Sequence, residues 1–177
     1  GIQDIGLDLI HFDQMYWYTE PYSCRCEFCR HRFHDWLEAK YPVDRRRPRF
    51  GFDNFKDIEP PPYIGILSNP SVKHLRSPLM QEWALWRASE VTRQYAAYDN
   101  YIHSLNPEAA TVGNPNLNLA LNLGFQNGVS NDDMLQHGDV VFSESPAYAS
   151  WTPDGRLLSK IRAYKTARLM GKSIFAY

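Results

Sequence analysis

The sequence predicts an α/β fold of parallel strands joined by crossover helices, amounting to a partial (β/α)8 TIM-type barrel. Three observations predict it. Four short apolar runs alternate with segments of helical periodicity, the pattern of β/α crossovers and a parallel sheet. Acidic or amide side chains stand at the carboxyl ends of those runs, where parallel β/α architectures carry their reacting groups. The chain has 177 residues, whereas an eight-unit barrel needs roughly 250. Four strands therefore read as about half of a barrel, or as an open sheet whose two unpaired edges need a partner.

In chain order, the first strand is predicted over 5–13 (IGLDLIHFD). A helix over 27–41 follows, with Phe28, Phe33, Trp36, Leu37 and Tyr41 on one apolar stripe. The stretch 42–77 is rich in Pro, Arg and Asp and includes Pro60-Pro61-Pro62. It reads as a long irregular loop, either a rim excursion over a site or a surface insertion. Ser77 followed by Pro78 is a helix start, with a capping hydroxyl and then proline at the first helical position. The long helix over 79–105 lines up Leu79, Trp83, Trp86, Val91, Tyr95, Tyr98, Ile102 and Leu105, and Asn106-Pro107 stops it. The second strand is predicted over 109–114 (AATVGN), a short helix over 131–137 and the third strand over 139–144 (DVVFSE). After the turn Pro153-Asp154-Gly155, a helix over 156–170 is expected to turn Leu158, Ile161, Tyr164 and Met170 inward, before a last strand over 172–177 (KSIFAY). No internal repeats interrupt this order, so 1–177 reads as a single partial barrel domain.

Composition narrows the partners. Hydrophobic residues make up 44% and charged residues 22%, ordinary for a soluble globular chain. A net charge of −1 gives no electrostatic basis for binding nucleic acid or an anionic membrane. No apolar run approaches the roughly 20 residues of a membrane span. The absence of an initiator Met and of a signal peptide suggests a segment of something longer and leaves the compartment open. Aromatics are abundant at 14%, and Tyr16, Trp17, Tyr18, Tyr22, Tyr63, Tyr148 and Trp151 fall in loop-like segments. They read either as loop anchors or as a sugar-stacking cleft, since pyranose C–H faces pack on aromatic rings.

The strand ends carry the candidate chemistry. Asp13 closes the first strand in His11-Phe12-Asp13-Gln14, Asn114 the second in Gly113-Asn114-Pro115, and Glu144 the third in Phe142-Ser143-Glu144-Ser145. A buried acid after an apolar strand costs desolvation energy unless it is paired. Two acids at one sheet mouth are what glycoside hydrolysis needs, one protonating the leaving oxygen and the other attacking the anomeric carbon or activating water. Asp13 and Glu144 are thus candidate catalytic carboxylates; helix capping or pairing with arginine is the alternative use. His11 shares the strand face of Asp13, as a partner for a sugar hydroxyl or as a core histidine. Asn114 is a ligand donor or a turn former. Trp17, Tyr18, Tyr148 and Trp151 are candidate walls of a sugar site.

All three cysteines fall in Cys24-Arg25-Cys26-Glu27-Phe28-Cys29. Three thiolates within six residues at a helix start suit a tetrahedral metal, whereas disulfides would leave an odd thiol. Structural zinc is expected, with a fourth ligand from His31, His34 or a segment outside this chain.

Together these residues resemble the catalytic barrel of family 42 glycoside hydrolases, the bacterial β-galactosidases. In that family the fourth strand is followed by a Cys-x-Cys-x-x-Cys cluster and a Phe-Arg-x-Trp-Leu-x-x-Lys-Tyr helix. The matching residues are Cys24, Cys26 and Cys29, then Phe33-His34-Asp35-Trp36-Leu37-Glu38-Ala39-Lys40-Tyr41. The helix from near Trp83 to Leu105-Asn106-Pro107 also fits, and Asp139-Val140-Val141-Phe142-Ser143-Glu144-Ser145-Pro146 is similar to the sixth strand. The resemblance implies a fragment spanning about strands four to seven, a carbohydrate substrate, and a zinc whose fourth cysteine precedes the fourth strand, outside this chain. It also implies a homo-oligomer, since the family forms trimers, or a missing barrel half. Two departures stand out. The family's acid/base glutamate follows an asparagine after strand four, where this chain has Asp13-Gln14-Met15. The family's nucleophile would lie just beyond Tyr177. The expectations are a divergent glycosidase using Asp13 as nucleophile and Glu144 as acid/base, or a barrel that binds sugar without turnover. A metal-linked structural or assembly module is a third.

Overall fold

The computed structural model describes residues 1–62, 76–114, 127–143, 150–158 and 161–176. Its centre is a sheet of four strands in the order β1 (Leu9–Asp13), β2 (Ala110–Asn114), β3 (Val140–Ser143) and β6 (Ser173–Ala176). Every adjacent pair is parallel. This is the α/β architecture expected, a partial TIM-barrel-like fold. No helix among the described residues is long and apolar enough to cross a membrane.

Strand register sorts the side chains onto two faces, because neighbours along a strand point oppositely. Leu9, His11 and Asp13 share a face with their partners Ala110, Val112 and Asn114, and the register carries that face on through Val140 and Phe142 to Ser173 and Phe175. The other face is covered by helices. Ile10 and Phe12 pack with Ile102, Leu105 and Ala109. Val141 and Ile174 pack with Leu135, Ala167 and Met170.

The helix α4 (Pro78–Leu105) bridges β1 to β2. Ser77 caps it by accepting from the Met80 N–H at 3.3 Å, with Pro78 at the first turn, as the sequence predicts. The helix α2 (Glu27–Lys40) lies against it. Between them Phe33, Leu37, Phe55, Met80, Trp83 and Trp86 form the largest apolar cluster. Phe33 meets Trp83 edge-on at 5.1 Å and Trp83 stacks on Trp86 at 4.8 Å.

Several elements differ from expectation. The segment predicted as strand from residue 5 begins instead with a short helix, α1 (Ile2–Ile5), which Gly6 ends at φ 63° before β1 starts. The irregular stretch 42–77 contains a helix, α3 (Val43–Phe50), despite an internal Pro48. Tertiary contacts hold it: Phe50 packs against Tyr41 and Phe55, Arg46 lies over the Phe55 ring, and Gly51 caps it in the left-handed region at φ 85°. A short helix, α5 (Asn131–Met134), precedes β3. The helix predicted from 156 starts later, as α6 (Ile161–Leu169), because Leu157–Leu158 forms β5 of a small antiparallel hairpin with β4 (Ser150–Trp151). The Pro153-Asp154-Gly155 turn closes that hairpin, with Gly155 at φ 79°. The helix α6 consequently buries Ala167 and exposes Ile161. Phe28 and Tyr98, assigned to apolar stripes, are also exposed, although Tyr98 stacks on Phe12 at 5.1 Å.

Two buried carboxylates lock the helices and loops. Glu20, fully buried, meets Arg25 at 2.5 Å, Arg87 at 3.1 Å and the Trp83 indole N–H at 2.7 Å. Arg25 also donates to the carbonyls of Pro21, Ser23, Pro60 and Pro61. Desolvation pulls the Arg87 guanidinium down to about 10, against the opposing pull of Glu20. Glu82 accepts from Lys40 at 2.7 Å, Tyr41 at 2.6 Å and Trp36 at 3.2 Å. Burial alone would raise its carboxyl, but the Lys40, Tyr41 and Trp36 donors outweigh burial and hold it below the usual carboxylate range.

Two stability predictions follow from these networks. Glu20→Ala removes the buried carboxylate that meets both Arg25 and Arg87, and urea unfolding should show a loss of about 3–5 kcal/mol. For Glu82, a carboxyl lowered by folding stabilises above its unfolded value and loses that contribution as pH falls through its folded value. The stability advantage of wild type over Glu82→Gln should therefore be full at neutral pH and shrink as pH falls below about 4.3.

Candidate functional site

The carboxyl edge of the sheet brings two of the sequence-predicted residues into contact. β1 and β2 run in register, so Asp13 faces Asn114 across the last rung. The Asn114 amide donates to Asp13 Oδ1 at 3.0 Å. Asn114 is buried, while Asp13 is exposed rather than buried as the sequence suggests. The hydrogen bond orients the carboxylate without removing it from solvent. One rung pair below, on the same face, the exposed His11 ring lies 4.8 Å from Phe142, which stacks on Phe175 at 5.6 Å. The inner face thus carries a carboxylate–amide pair at its mouth and a row of rings beneath it.

The chain leaves Asp13 through Gln14, held at φ 52°. That left-handed conformation is uncommon for a residue other than glycine and recurs at functional sites. It swings Met15, Tyr16 and Trp17 onto α4. Trp17 donates its indole N–H to the Arg87 carbonyl at 3.0 Å and packs on Trp86 at 5.5 Å. Of the two readings of the loop aromatics, Trp17 is therefore an anchor for the loop after β1. It also lines, with Gln14, Met15, Tyr16, Phe28 and Arg32, an open cavity of about 380 Å³ beside α4. Tyr18 and Trp151 are 80% and 70% exposed, so neither is committed to the core. Glu144, Tyr148 and Tyr63 lie outside the described residues.

The three cysteines converge at the start of α2. They are free thiols, with Cys24 and Cys26 exposed and Cys29 buried. Their sulfurs all lie within 4.8 Å of one another, and Cys26 and Cys29 are 3.6 Å apart. Tetrahedral ligation with metal–sulfur bonds of ~2.3 Å spaces the sulfurs about 3.8 Å apart. The geometry therefore fits a thiolate-bound metal ion. The backbone N–H of Cys29, then the side chains of Cys24 and Cys29, lower the Cys26 thiol. Burial, then Cys24 and Cys26, push the Cys29 thiol up to about 12. A divalent cation removes that conflict, because it stabilises adjacent thiolates together. Neither local histidine joins the sulfurs. His34 bonds the Ile58 carbonyl at 2.7 Å, and His31 faces Glu27 at 3.5 Å.

Sequence reasoning missed the Glu20–Arg87 ion pair and the ring row of Phe142 and Phe175. The first had a signal: Arg87 follows Trp83 and Trp86 and precedes Val91 on an apolar helical stripe, where an arginine needs a buried acid. The second depended on register, which the sequence does not display.

A parallel four-strand array with helices packed on one face is an α/β arrangement of partial TIM-barrel-like type. Comparison with solved structures narrows the relation. The chain is similar to a GH42 exo-carrageenase from Bacteroides ovatus, with a TM-score of 0.63 and 17% identity over 90% of this chain and 24% of that one. It is similar to the cold-adapted β-galactosidase of Rahnella sp. R3 (TM-score 0.53, 16% identity, 92% of this chain, 30% of that one). The polyextremophilic β-galactosidase of the Antarctic haloarchaeon Halorubrum lacusprofundi gives a TM-score of 0.51 at 15% identity, over 87% of this chain and 30% of that one. The chain therefore has a distant structural relation to GH42-type barrel enzymes and spans less than a third of the length of each. At these identities the likeness is one of fold. No family model and no curated protein matches the sequence.

The cysteine geometry has a direct spectroscopic consequence. Titrating the reduced chain with Co²⁺ should produce an intense sulfur-to-metal charge-transfer band, and Cys29→Ser should weaken or abolish it. A spectrum with only weak d–d bands would show that the sulfurs do not share a metal.

Proposed function

We propose that this chain is part of a glycosidase-type β/α barrel that acts on carbohydrate through strand-end carboxylates. The single observation carrying this reading is the Asp13–Asn114 pair at the carboxyl end of an in-register parallel sheet, with His11 on the same face. Asp13 is the nucleophile, held by the Asn114 amide so that one oxygen is fixed while the group stays accessible. Glu144 is the proton donor; it directly follows Ser143, the last residue of β3. His11 and Asn114 bind sugar hydroxyls, and Tyr18, Tyr148 and Trp151 supply stacking faces, with Trp17 bracing the loop after β1. The likeness to a β-galactosidase and an exo-carrageenase makes galactose-containing carbohydrates the first substrates to try.

Cys24, Cys26 and Cys29 hold structural zinc, with the fourth ligand from outside this chain. Zinc there supplies a cross-link and no chemistry at the sugar. The cluster follows the Glu20 clamp closely and so fastens the same loop to α2. The outer edges of β1 and β6, without a strand partner among the described residues, and the exposed Leu9 and Phe175 side chains on the inner face are covered by further barrel strands or by a second copy.

A second reading, sugar binding without turnover, draws on Gln14. An amide stands directly after the strand-end acid, and an amide cannot donate a proton as a general acid. The two readings separate in one experiment. With aryl β-galactosides and carrageenan oligosaccharides as substrates, Asp13→Asn should lower turnover by more than ~10²-fold with an unchanged melting temperature. Equal rates for wild type and Asp13→Asn would overturn the assignment of Asp13. Sugar affinity without turnover in wild type would select the binding reading.

A further inference from the structure

The amino end of the sheet carries a second cluster, away from the Asp13 edge. Asp99 and His103 are four residues apart on α4, so both project from the same helical face. Asp139 reaches them from the residue before β3. Its backbone is pinned on both sides, donating to the Thr111 carbonyl at 3.0 Å and accepting from Ser173 N–H at 3.2 Å. His103 sits between the acids, with Nδ1 3.5 Å from Asp99 and Nε2 3.2 Å from Asp139. One ligand atom from each of the three residues lies within 4.8 Å of the others.

Thr111 orients both carboxylates. Its hydroxyl donates to Asp99 Oδ1, and its backbone N–H donates to Asp139 Oδ2 at 2.9 Å. Such outer hydrogen bonds are what fix metal-ligating carboxylates in place. The local charge is also unbalanced. Among the described residues, Asp99 and Asp139 both pair with His103, and neither pairs with a Lys or Arg. The nearby Lys172 ammonium is spent on the carbonyls of Gly138 and Gln136. A neutral imidazole has one N–H and so can donate to only one of the two acids. Asp139 and His103 are partly open to solvent, which leaves an entry path and room for water ligands.

We propose that Asp99, His103 and Asp139 form a binding site for a divalent transition-metal ion such as Mn²⁺ or Zn²⁺. One imidazole and two carboxylates make a nitrogen–oxygen set without sulfur, distinct in preference from the cysteine cluster. Three protein ligands leave coordination positions for water. The ion bolts α4 to the start of β3. Strand amino ends in β/α barrels serve stability rather than reaction, so the site stands or falls independently of the sugar chemistry at Asp13.

Mn²⁺ is the probe, because thiolates hold it poorly and the cysteine cluster does not compete. Electron paramagnetic resonance of the metal-stripped wild-type chain should show free Mn²⁺ signal lost up to one equivalent. The bound ion should carry nitrogen modulation in its spin-echo envelope, which reports an imidazole ligand without any mutation. His103→Ala and Asp99→Asn should weaken binding by at least about tenfold, since loss of an outer-shell partner already costs that much. Cys24→Ser should leave it unchanged. Mn²⁺ should also raise the melting temperature of wild type and not of His103→Ala. Undiminished free Mn²⁺ signal with wild type, bound ion without nitrogen modulation, or equal affinity in His103→Ala would each overturn the site.

Discussion

The in-register parallel pairing of β1 with β2 is the constraint on which the rest depends. It sets Asp13 beside Asn114 at one end of the sheet. Near the other end, the same strand β2 supplies Thr111, whose hydroxyl and backbone N–H hold Asp99 and Asp139. A slip of one residue would turn Asp13 and His11 toward the helices and Phe12 toward the inner face. The apolar contacts of Ile10 and Phe12 with the α4 end of the chain resist that slip.

Buried charge does the positioning that apolar packing cannot. Glu20, Arg25, Arg87 and Trp83 fasten the loop after β1 to α4, and Arg25 adds the carbonyls of Pro60 and Pro61. A buried ion pair adds little net stability compared with a well-packed apolar group, but breaking it is costly. Its effect here is directional: the loop that starts at Asp13 and ends at the cysteines has one way to lie. Glu82 does the same for α2 and α3, drawing in Lys40, Tyr41 and Arg49.

The sheet is finished on its helix-covered face and unfinished on the other. Leu9 and Phe175 are about half exposed on the inner face, and the outer edges of β1 and β6 have no strand partner among the described residues. In a closed barrel that face is filled by side chains from all strands. The match to less than a third of each related chain agrees with a barrel segment.

The sequence by itself determined the alternation of strands and helices, the capped start of α4 at Ser77-Pro78, and the convergence of Cys24, Cys26 and Cys29. Each follows from local periodicity, a local cap or short spacing. It also named Asp13 and Asn114 as strand-end residues, but not that they touch. It could not yield α3, whose interior Pro48 argues against a helix and which is held by Phe50, Phe55 and Tyr41. Nor did it yield the β4–β5 hairpin, the anchoring of Trp17 by Arg87, or the meeting of Asp99, His103 and Asp139. The hairpin is local but has only two rungs, too short to show a strand period; the other contacts join residues far apart in the chain, and their energies exist only once strand register and helix packing have brought them together.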